Sequence, residues 1–565
     1  MVRGDARAVS ADERQAARAA VTRAPHDAMA WIVLAEAELD AGDARAGEAA
    51  CRRALELRHG HPEALARLGR AQWMQGARED AVASLREAAG AAPMHPGIAV
   101  WLAHALEDVG EGEAATASYA RAVALAPGEP QLAAYLLAWR RRLCDWRDLD
   151  RLTAQVREAV RARRVAIEPF AFLSEDATPA EQLACARLRA DGVARAVRVL
   201  PPPPERIDDG LRVGLLSNGF GAHPTGLLTV ALIEALRAQC DAGLHSGWRT
   251  HLFALGRDDG SPVRARLRAA AHVLHDVGQR PHAQVARAIR DARIDVLFDL
   301  RGWGGGGAPE VLAMRPARMQ VNWLAYPGTS GAPWIDCVLA DTVVLPPALE
   351  PHFSERVLRL PRCFQPSDTA RAVGAPPPRG DCGLPDAGVV FCCFNNSYKL
   401  NPRSMARALA VLRGVPGSVL WLLSGPGQAD ARLREAAHGD GVDPARLIFM
   451  RKQPHAAYLA RLRHADLFLD TTPYNAHTTA SDALWAGCPV LTTPGDTFAS
   501  RVAASLNHHL GMAHMTVDGD DAFVARAIAL GTDADARRAL RAELARRRVD
   551  SGLFDMDAFA LDFAN

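Results

Sequence analysis

Apolar and small residues in the first third of the chain recur with a fixed stride. Leu34, Leu68 and Leu102 stand 34 residues apart, as do Gly42, Gly76 and Gly110, and Ala20, Ala54, Ala88 and Ala122. Pro25, Pro93 and Pro127 keep the same phase, with His59 where a fourth proline would fall. The stride predicts two helices per period: glycine ends the first, alanines let the second pack closely, and proline opens the next turn. One such pair cannot bury its apolar face alone, whereas stacked pairs share a continuous core. Residues 10–25 read as a lone second helix, and PQLAAYLLAWRRRL (130–143) continues the phase before it dissolves. From residue 212 the pattern changes to short apolar runs alternating with amphipathic helices. One series comprises RVGLLSNGF (212–220), HLFALG (251–256), DVLFDLRG (295–302) and QVNWLAYPG (320–328). A second comprises VVFCCFN (389–395), SVLWLLSG (418–425), RLIFM (446–450), DLFLD (466–470) and PVLTTPG (489–495). Such alternation predicts parallel sheets with helices on both faces, here two of them separated by the Pro/Gly-rich stretch at 374–388.

The predicted fold class is therefore α + α/β. A tetratricopeptide solenoid covers 10–143, a helical linker region covers 144–204 and closes on four prolines, and two Rossmann-like domains cover 205–380 and 381–565 and face each other across a cleft. A chain of 565 residues has room for these several cores. Its net charge of +1, from 66 basic and 65 acidic side chains, gives no footprint for nucleic acid or a membrane surface. No apolar run reaches the length of about 18 residues that a membrane span needs. The charged start lacks the apolar centre of a secretory signal, and the ten scattered cysteines show no CxxC or Cys/His ligand spacing. These features predict a cytoplasmic protein with neither a disulfide framework nor a structural metal. The repeats bind protein far more often than they do chemistry, so their groove is expected to hold a polypeptide, although a solubilising or oligomerising arm has the same pattern.

Ligands of open parallel sheets bind outside the carboxyl ends of the strands, and four strand ends here carry unusual residues. After the first strand, SNGFGAHPT (217–225) makes a tight turn that throws His223 towards the cleft. There it could accept a hydroxyl proton, orient a phosphate, or simply cap the next helix. WLAYPGTSG (323–331) brings backbone at Pro327 and Gly328 near a ligand and offers hydroxyls to a sugar, or is an ordinary turn. FNNSYK (394–399) holds Lys399, one of only two lysines with Lys452. Its ammonium is suited to a departing diphosphate. In DTTPYNAHTTASDALWAG (470–487), His477, Thr478 and Thr479 open a helix whose amides and dipole suit phosphate, and Asp482 could accept from ribose hydroxyls. As a fifth stretch, QPHAAY (453–458) could frame a base, with Tyr458 stacking and Gln453 meeting its edge. The acidic pairs at 518–521 and 555–557 lie away from strand ends and read as solvated turns, so no metal site is expected.

At these motifs the chain resembles the O-GlcNAc transferase family, in which tetratricopeptide repeats precede a GT-B unit that uses UDP-GlcNAc. The likeness runs from about residue 20 to 510 and is carried by FGAHPT (220–225), YPGTSG (326–331), SVLWLL (418–423), HTTASDALWAG (477–487) and FASRVAAS (498–505), with Cys144, Asp145 and Trp146 after the repeats. It implies His223 as a catalytic histidine proposed as general base, and Lys399 as the lysine that binds the diphosphate and stabilises leaving UDP. It places Asn396 near the diphosphate, His477, Thr478 and Thr479 at the phosphate site, and Asp482 on the ribose; Tyr398, in the same stretch as Lys399, is a further substrate-binding candidate. Pro327 and Gly328 fall beside the sugar, while Tyr458 and His455 replace a stacking histidine and a lysine at the uracil. The implied reaction is inverting transfer of GlcNAc to Ser or Thr hydroxyls of proteins, with UDP-GlcNAc as substrate and no cofactor. Rival readings are transfer of fucose from GDP-fucose, a repeat scaffold with an idle transferase half, and action on a surface polysaccharide. The Ala/Arg-rich composition and short repeat array resemble bacterial members.

Overall fold

Ala54, Ala88 and Ala122, one per 34-residue period, are fully buried, because only a methyl group fits where successive helices meet. In a computed structural model, which describes residues 11–203, 210–245 and 247–565, the periods become helix pairs. These are Ala28–Asp40 with Ala44–Leu57, Pro62–Met74 with Arg78–Ala91, and Pro96–Asp108 with Gly112–Leu125. Ala11–Arg23 precedes them as a lone helix and Pro130–Arg142 follows in phase. Gly42, Gly76 and Gly110 take φ of +85°, +83° and +80° just past the first helix of each pair, the left-handed position that lets a helix end without a Cβ clash. Residue 10, Pro204 and 205–209, within the expected domain limits, lie outside the described residues.

The second half forms two all-parallel sheets. Strands β1 (Arg212–Ser217), β2 (Arg249–Ala254), β3 (Val273–Asp276), β4 (Val296–Asp299), β5 (Met319–Asn322), β6 (Cys337–Ala340) and β7 (Arg356–Arg359) lie in the order β3-β2-β1-β4-β5-β6-β7. Strands β8 (Val390–Cys393), β9 (Val419–Leu423), β10 (Leu447–Met450), β11 (Leu467–Leu469) and β12 (Val490–Leu491) follow as β10-β9-β8-β11-β12. In each sheet the order reverses beside its first strand, between β1 and β4 and between β8 and β11, and a crevice opens at such a reversal. Strands β3, β6 and β7 lie outside the runs singled out in the sequence. β3 and β7 are sheet edges bearing polar, part-exposed residues, whereas β6 is a buried apolar run like its neighbours.

The expected domain limits need correction at both ends. The chain divides into two compact units, Met1–Val156 with Gly425–Ala429, and Arg157–Ser424 with Asp430–Asn565. The region expected as a linker is thus split between them. Helix Pro179–Ala196, started by a Thr178/Glu181 capping box, packs Ala190 and Val193 into one core with Trp303, Tyr326 and Trp334. The final helix, Met556–Ala564, crosses back to the first sheet's domain. Gln239 Nε2 donates to the Asp557 carbonyl at 2.8 Å, and the Phe563 ring lies 5.0 Å from Phe298 and 5.2 Å from Trp323. No helix among the described residues is long and apolar enough to cross a membrane.

At the β2–β3 edge, His275 stacks 4.4 Å from Phe253, and His251 Nδ1 lies 3.1 Å from His275 Nε2. Burial lowers the pKa of both, and for His251 the neighbouring His275 and Arg212 lower it further, to about 4. A histidine held neutral in the fold but titrating near 6.5 when unfolded leaves stability intact above that pH and removes it as the pH falls towards 4. Thermal unfolding is therefore expected to move down on acidification, and His275→Leu should reduce the drop between pH 6.5 and 5 by about 2–4 °C. Parallel acid profiles for the two proteins would contradict this account.

Candidate functional site

The first crevice is built by the loops after β1 and β4. His223 caps helix Pro224–Asp241, its Nδ1 accepting the Thr225 amide at 3.2 Å. Its ring fits only because residue 219 is glycine, where a Cβ would stand 2.4 Å from Nδ1. Neither Gly219 nor Gly221 has positive φ, so close approach, rather than the tight turn expected, explains both. Burial, with Arg301 and Lys452 nearby, lowers the imidazole pKa to about 4. The neutral ring with Nδ1 occupied carries its proton on Nε2. In this conformation Nδ1 caps the helix, and it can take a proton by releasing the Thr225 amide. Beneath it, Asp299 at the end of β4 accepts the amides of Arg301 and Gly302 at 2.9 and 3.0 Å, and burial raises its carboxyl.

The loop at 323–331 satisfies its polar groups within the protein. Pro327 and Gly328 are buried, the Gly328 amide donates to the Tyr326 carbonyl at 3.0 Å, and the Gly328 carbonyl accepts from Asn322 Nδ2 at 2.9 Å. The hydroxyl expected to read a sugar at Thr329 donates instead to Glu355 at 2.7 Å, and Ser330 Oγ accepts the Ala332 amide. The loop closes on itself.

The second crevice is more densely wired. Lys399 ends the short helical turn Ser397–Lys399 and is buried. Its ammonium donates to the Asn475 carbonyl at 2.6 Å and lies 3.7 Å above the Tyr474 ring. Burial lowers the Lys399 pKa, against the pull of the Asp470 carboxylate, and burial raises that of Asp470. Asp470 directly follows β11 and gathers the loop beyond it. It accepts the Thr471 and Ala476 amides, each at 2.7 Å, and the Thr492 hydroxyl at 2.6 Å. Asn395 ties this loop to β8, donating to Thr471 Oγ1 at 2.8 Å and accepting from Thr479 Oγ1 at 2.7 Å. Asn395 is thus the amide of the network, while Asn396 is exposed at the head of the Lys399 turn with no side-chain cap bond.

Helix Thr478–Ala486 begins without a side-chain cap at His477. Ala480 and Ser481 already donate to the His477 carbonyl, whereas the amides of Thr478 and Thr479 meet no protein acceptor among the described residues. They are orphan donors at the positive end of the helix dipole, suited to an anion. His477 is held neutral by burial and by Lys399, and its Nε2 donates to the Ala499 carbonyl at 3.1 Å.

Two aromatic candidates pack against neighbouring rings. Tyr398 packs its ring against Phe170 and Tyr474, at 6.3 and 6.1 Å. Tyr458 is part-exposed and makes a T-shaped contact with Phe394 at 5.7 Å, with its hydroxyl buried and without a hydrogen-bond partner among the described residues. His455 holds the open position beside it, with Nε2 3.1 Å from Asp482 Oδ2. Gln453 folds back to the Arg451 carbonyl at 3.1 Å. Asp482 is buried and its other oxygen accepts from Arg371 at 2.6 Å. Arg371, Asp470 and Asn395 were not singled out from the sequence. Asp470 was visible as a strand-end carboxylate, whereas nothing local marks Arg371. Of the late acidic pairs, Asp520 binds Arg403 and Arg407, and Asp555 caps the last helix.

The sequence model of glycosyl transferase family 41 matches residues 196–374 and 377–563. A curated relative from Arabidopsis thaliana, named as a probable UDP-N-acetylglucosamine–peptide N-acetylglucosaminyltransferase (SEC), is 31% identical over 439 residues, covering 73% of this chain and 44% of the relative. The UDP-N-acetylglucosamine–peptide N-acetylglucosaminyltransferase of Caenorhabditis elegans is 26% identical over 550 residues, covering 74% and 47%. The chain spans less than half the length of these curated relatives. Among solved structures, a variant of the Thermobaculum terrenum O-GlcNAc transferase superposes with a TM-score of 0.68 at 25% identity over 95% of each chain.

Proposed function

Because the chain belongs to glycosyl transferase family 41, we propose that it moves GlcNAc from UDP-GlcNAc to Ser or Thr hydroxyls of proteins, inverting the anomeric carbon. The observation that carries this reading is the pairing of a buried lysine with uncapped helix amides at the second crevice. An ammonium and a helix tip together supply the charge that a departing diphosphate needs, without a metal ion. The acceptor oxygen attacks the anomeric carbon as that carbon's bond to the UDP oxygen breaks. The hydroxyl proton passes to His223 Nδ1, which releases the Thr225 amide to take it, and the growing negative charge falls on Lys399 and the amides of Thr478 and Thr479. Burial keeps the His223 imidazole neutral before the reaction, the state in which it can take that proton. Asn396, exposed beside Lys399, completes the phosphate surroundings, and Asp482 with His455 receives the nucleoside.

The repeats are proposed to hold the polypeptide acceptor along their groove. The ten cysteines form no disulfide, which fits action in a reducing compartment, the cytoplasm. Calorimetric titration tests the donor: UDP should bind at least about tenfold more tightly than GDP. Tighter GDP binding would favour the fucose donor, and absence of any nucleotide binding would leave a repeat scaffold.

A further inference from the structure

The segment joining the two sheets is anchored in opposite directions within four residues. Asp368 accepts two bonds from Arg266 of helix Pro262–Ala270, at 2.8 and 3.0 Å, which fixes the segment to the first domain. Arg371 reaches the other way. Its Nη1 donates to Asp482 Oδ1 at 2.6 Å, and its Nη2 to Ser367 Oγ at 2.7 Å. Its guanidinium lies 5.4 Å from the Trp485 ring, whose Nε1 donates back to the Arg371 carbonyl at 3.0 Å. The Arg371 and Asp482 side chains are only 3% and 5% exposed.

A buried ion pair costs desolvation that an apolar pair of the same shape would avoid, so it calls for a reason. Here the reason lies in the carboxylate's second oxygen. Asp482 Oδ2 turns to His455, whose side chain is 26% exposed and forms the open side of the cluster. Arg371 holds one oxygen with Nη1 while Nη2 is pinned on Ser367, so the planar guanidinium fixes where the carboxylate sits and leaves its other oxygen beside His455 at that opening. We propose that Arg371 is a positioning residue for the donor: from the interdomain segment it orients Asp482 so that Oδ2, beside the His455 ring, receives the ribose hydroxyls of a uridine nucleotide. This rests on the donor reading above and assigns ribose recognition to a residue outside both nucleotide-binding loops.

The test compares the affinities of UDP, 2′-deoxy-UDP and 3′-deoxy-UDP by calorimetry on the full chain. The wild-type protein should bind UDP at least about tenfold more tightly than the weaker deoxy analogue, the usual loss for a hydrogen bond to a charged acceptor. In Arg371→Met that ratio should fall below about threefold, and Arg371→Lys, which keeps the charge but not the planar guanidinium, should be intermediate. A merely structural arginine would weaken all three ligands alike and leave the ratio unchanged. A wild-type ratio in either folded variant overturns the proposal, as does a wild-type protein that binds UDP without regard to the ribose hydroxyls. Failure of the wild-type protein to bind any uridine nucleotide instead removes the donor reading on which the proposal stands.

Discussion

Lys399→Ala should lower transfer from UDP-GlcNAc by about 10²–10³-fold, the usual loss when one preorganised charge is removed from a developing anion. The effect should appear in kcat and in UDP affinity together, since the ammonium would meet the diphosphate both before and after the sugar leaves. The fold should survive, because Asp470 keeps its bonds from Thr492, Thr471 and Ala476 once the lysine is gone. The pH response separates this role from a packing role. Burial lowers the Lys399 pKa, so the ammonium is fully present below that lowered value and is lost as the pH rises through it. UDP affinity in the wild-type protein should therefore decline as the pH is raised above neutrality, with proton uptake on binding, and the variant should show neither trend. Calorimetry in buffers of different ionisation enthalpy measures both. A variant that turns over at the wild-type rate would remove Lys399 from the donor site.

Lys399 was legible because lysine is rare in this chain and sits at the end of an apolar run, where strand order puts ligands. The central strands were legible for a related reason: β8 and β11 are buried on both faces and must be apolar throughout. Edge strands β3 and β7 face solvent, and their Arg, His and Asp residues dilute that signal. The wiring of the site was less accessible. Arg371 and Asp482 are 111 residues apart in sequence, and the pair exists only because the interdomain segment crosses beside helix Thr478–Ala486. A similar limit applies to Tyr458 and His455. Motif spacing places both near a base, but the contact of Tyr458 with Phe394 and the approach of His455 to Asp482 come only from the fold. The last helix illustrates a third limit. Its own amphipathic pattern cannot say which of two domains receives it, and Phe563 settles that by meeting Phe298 and Trp323.

Gly226→Ala should impair transfer as severely as many active-site changes while sparing donor binding. A Cβ at residue 226 would stand 2.3 Å from the Gly221 carbonyl oxygen and 2.9 Å from the Gly219 oxygen and the Gly221 nitrogen. All three are backbone atoms, so no side-chain rotation relieves the overlap and the loop itself must move. That loop carries His223, whose amide donates to the Gly221 carbonyl at 2.8 Å and whose ring rests against Gly219. Overpacking of this kind typically costs about 1–3 kcal/mol of stability, and displacing a positioned group by roughly 1 Å can cost about 10²-fold in rate. The nucleotide loops lie on the other sheet and do not feel the shift. Gly226→Ala is thus expected to melt several degrees lower and to transfer sugar on the order of 10²-fold more slowly, with UDP affinity within about twofold of wild type. Thermal melting, a labelled-donor transfer assay and UDP titration on the same preparation check the three parts. Loss of UDP binding in parallel with transfer would mean that the two crevices are not separable as described, and an unimpaired rate would mean that the placement of His223 does not govern the reaction.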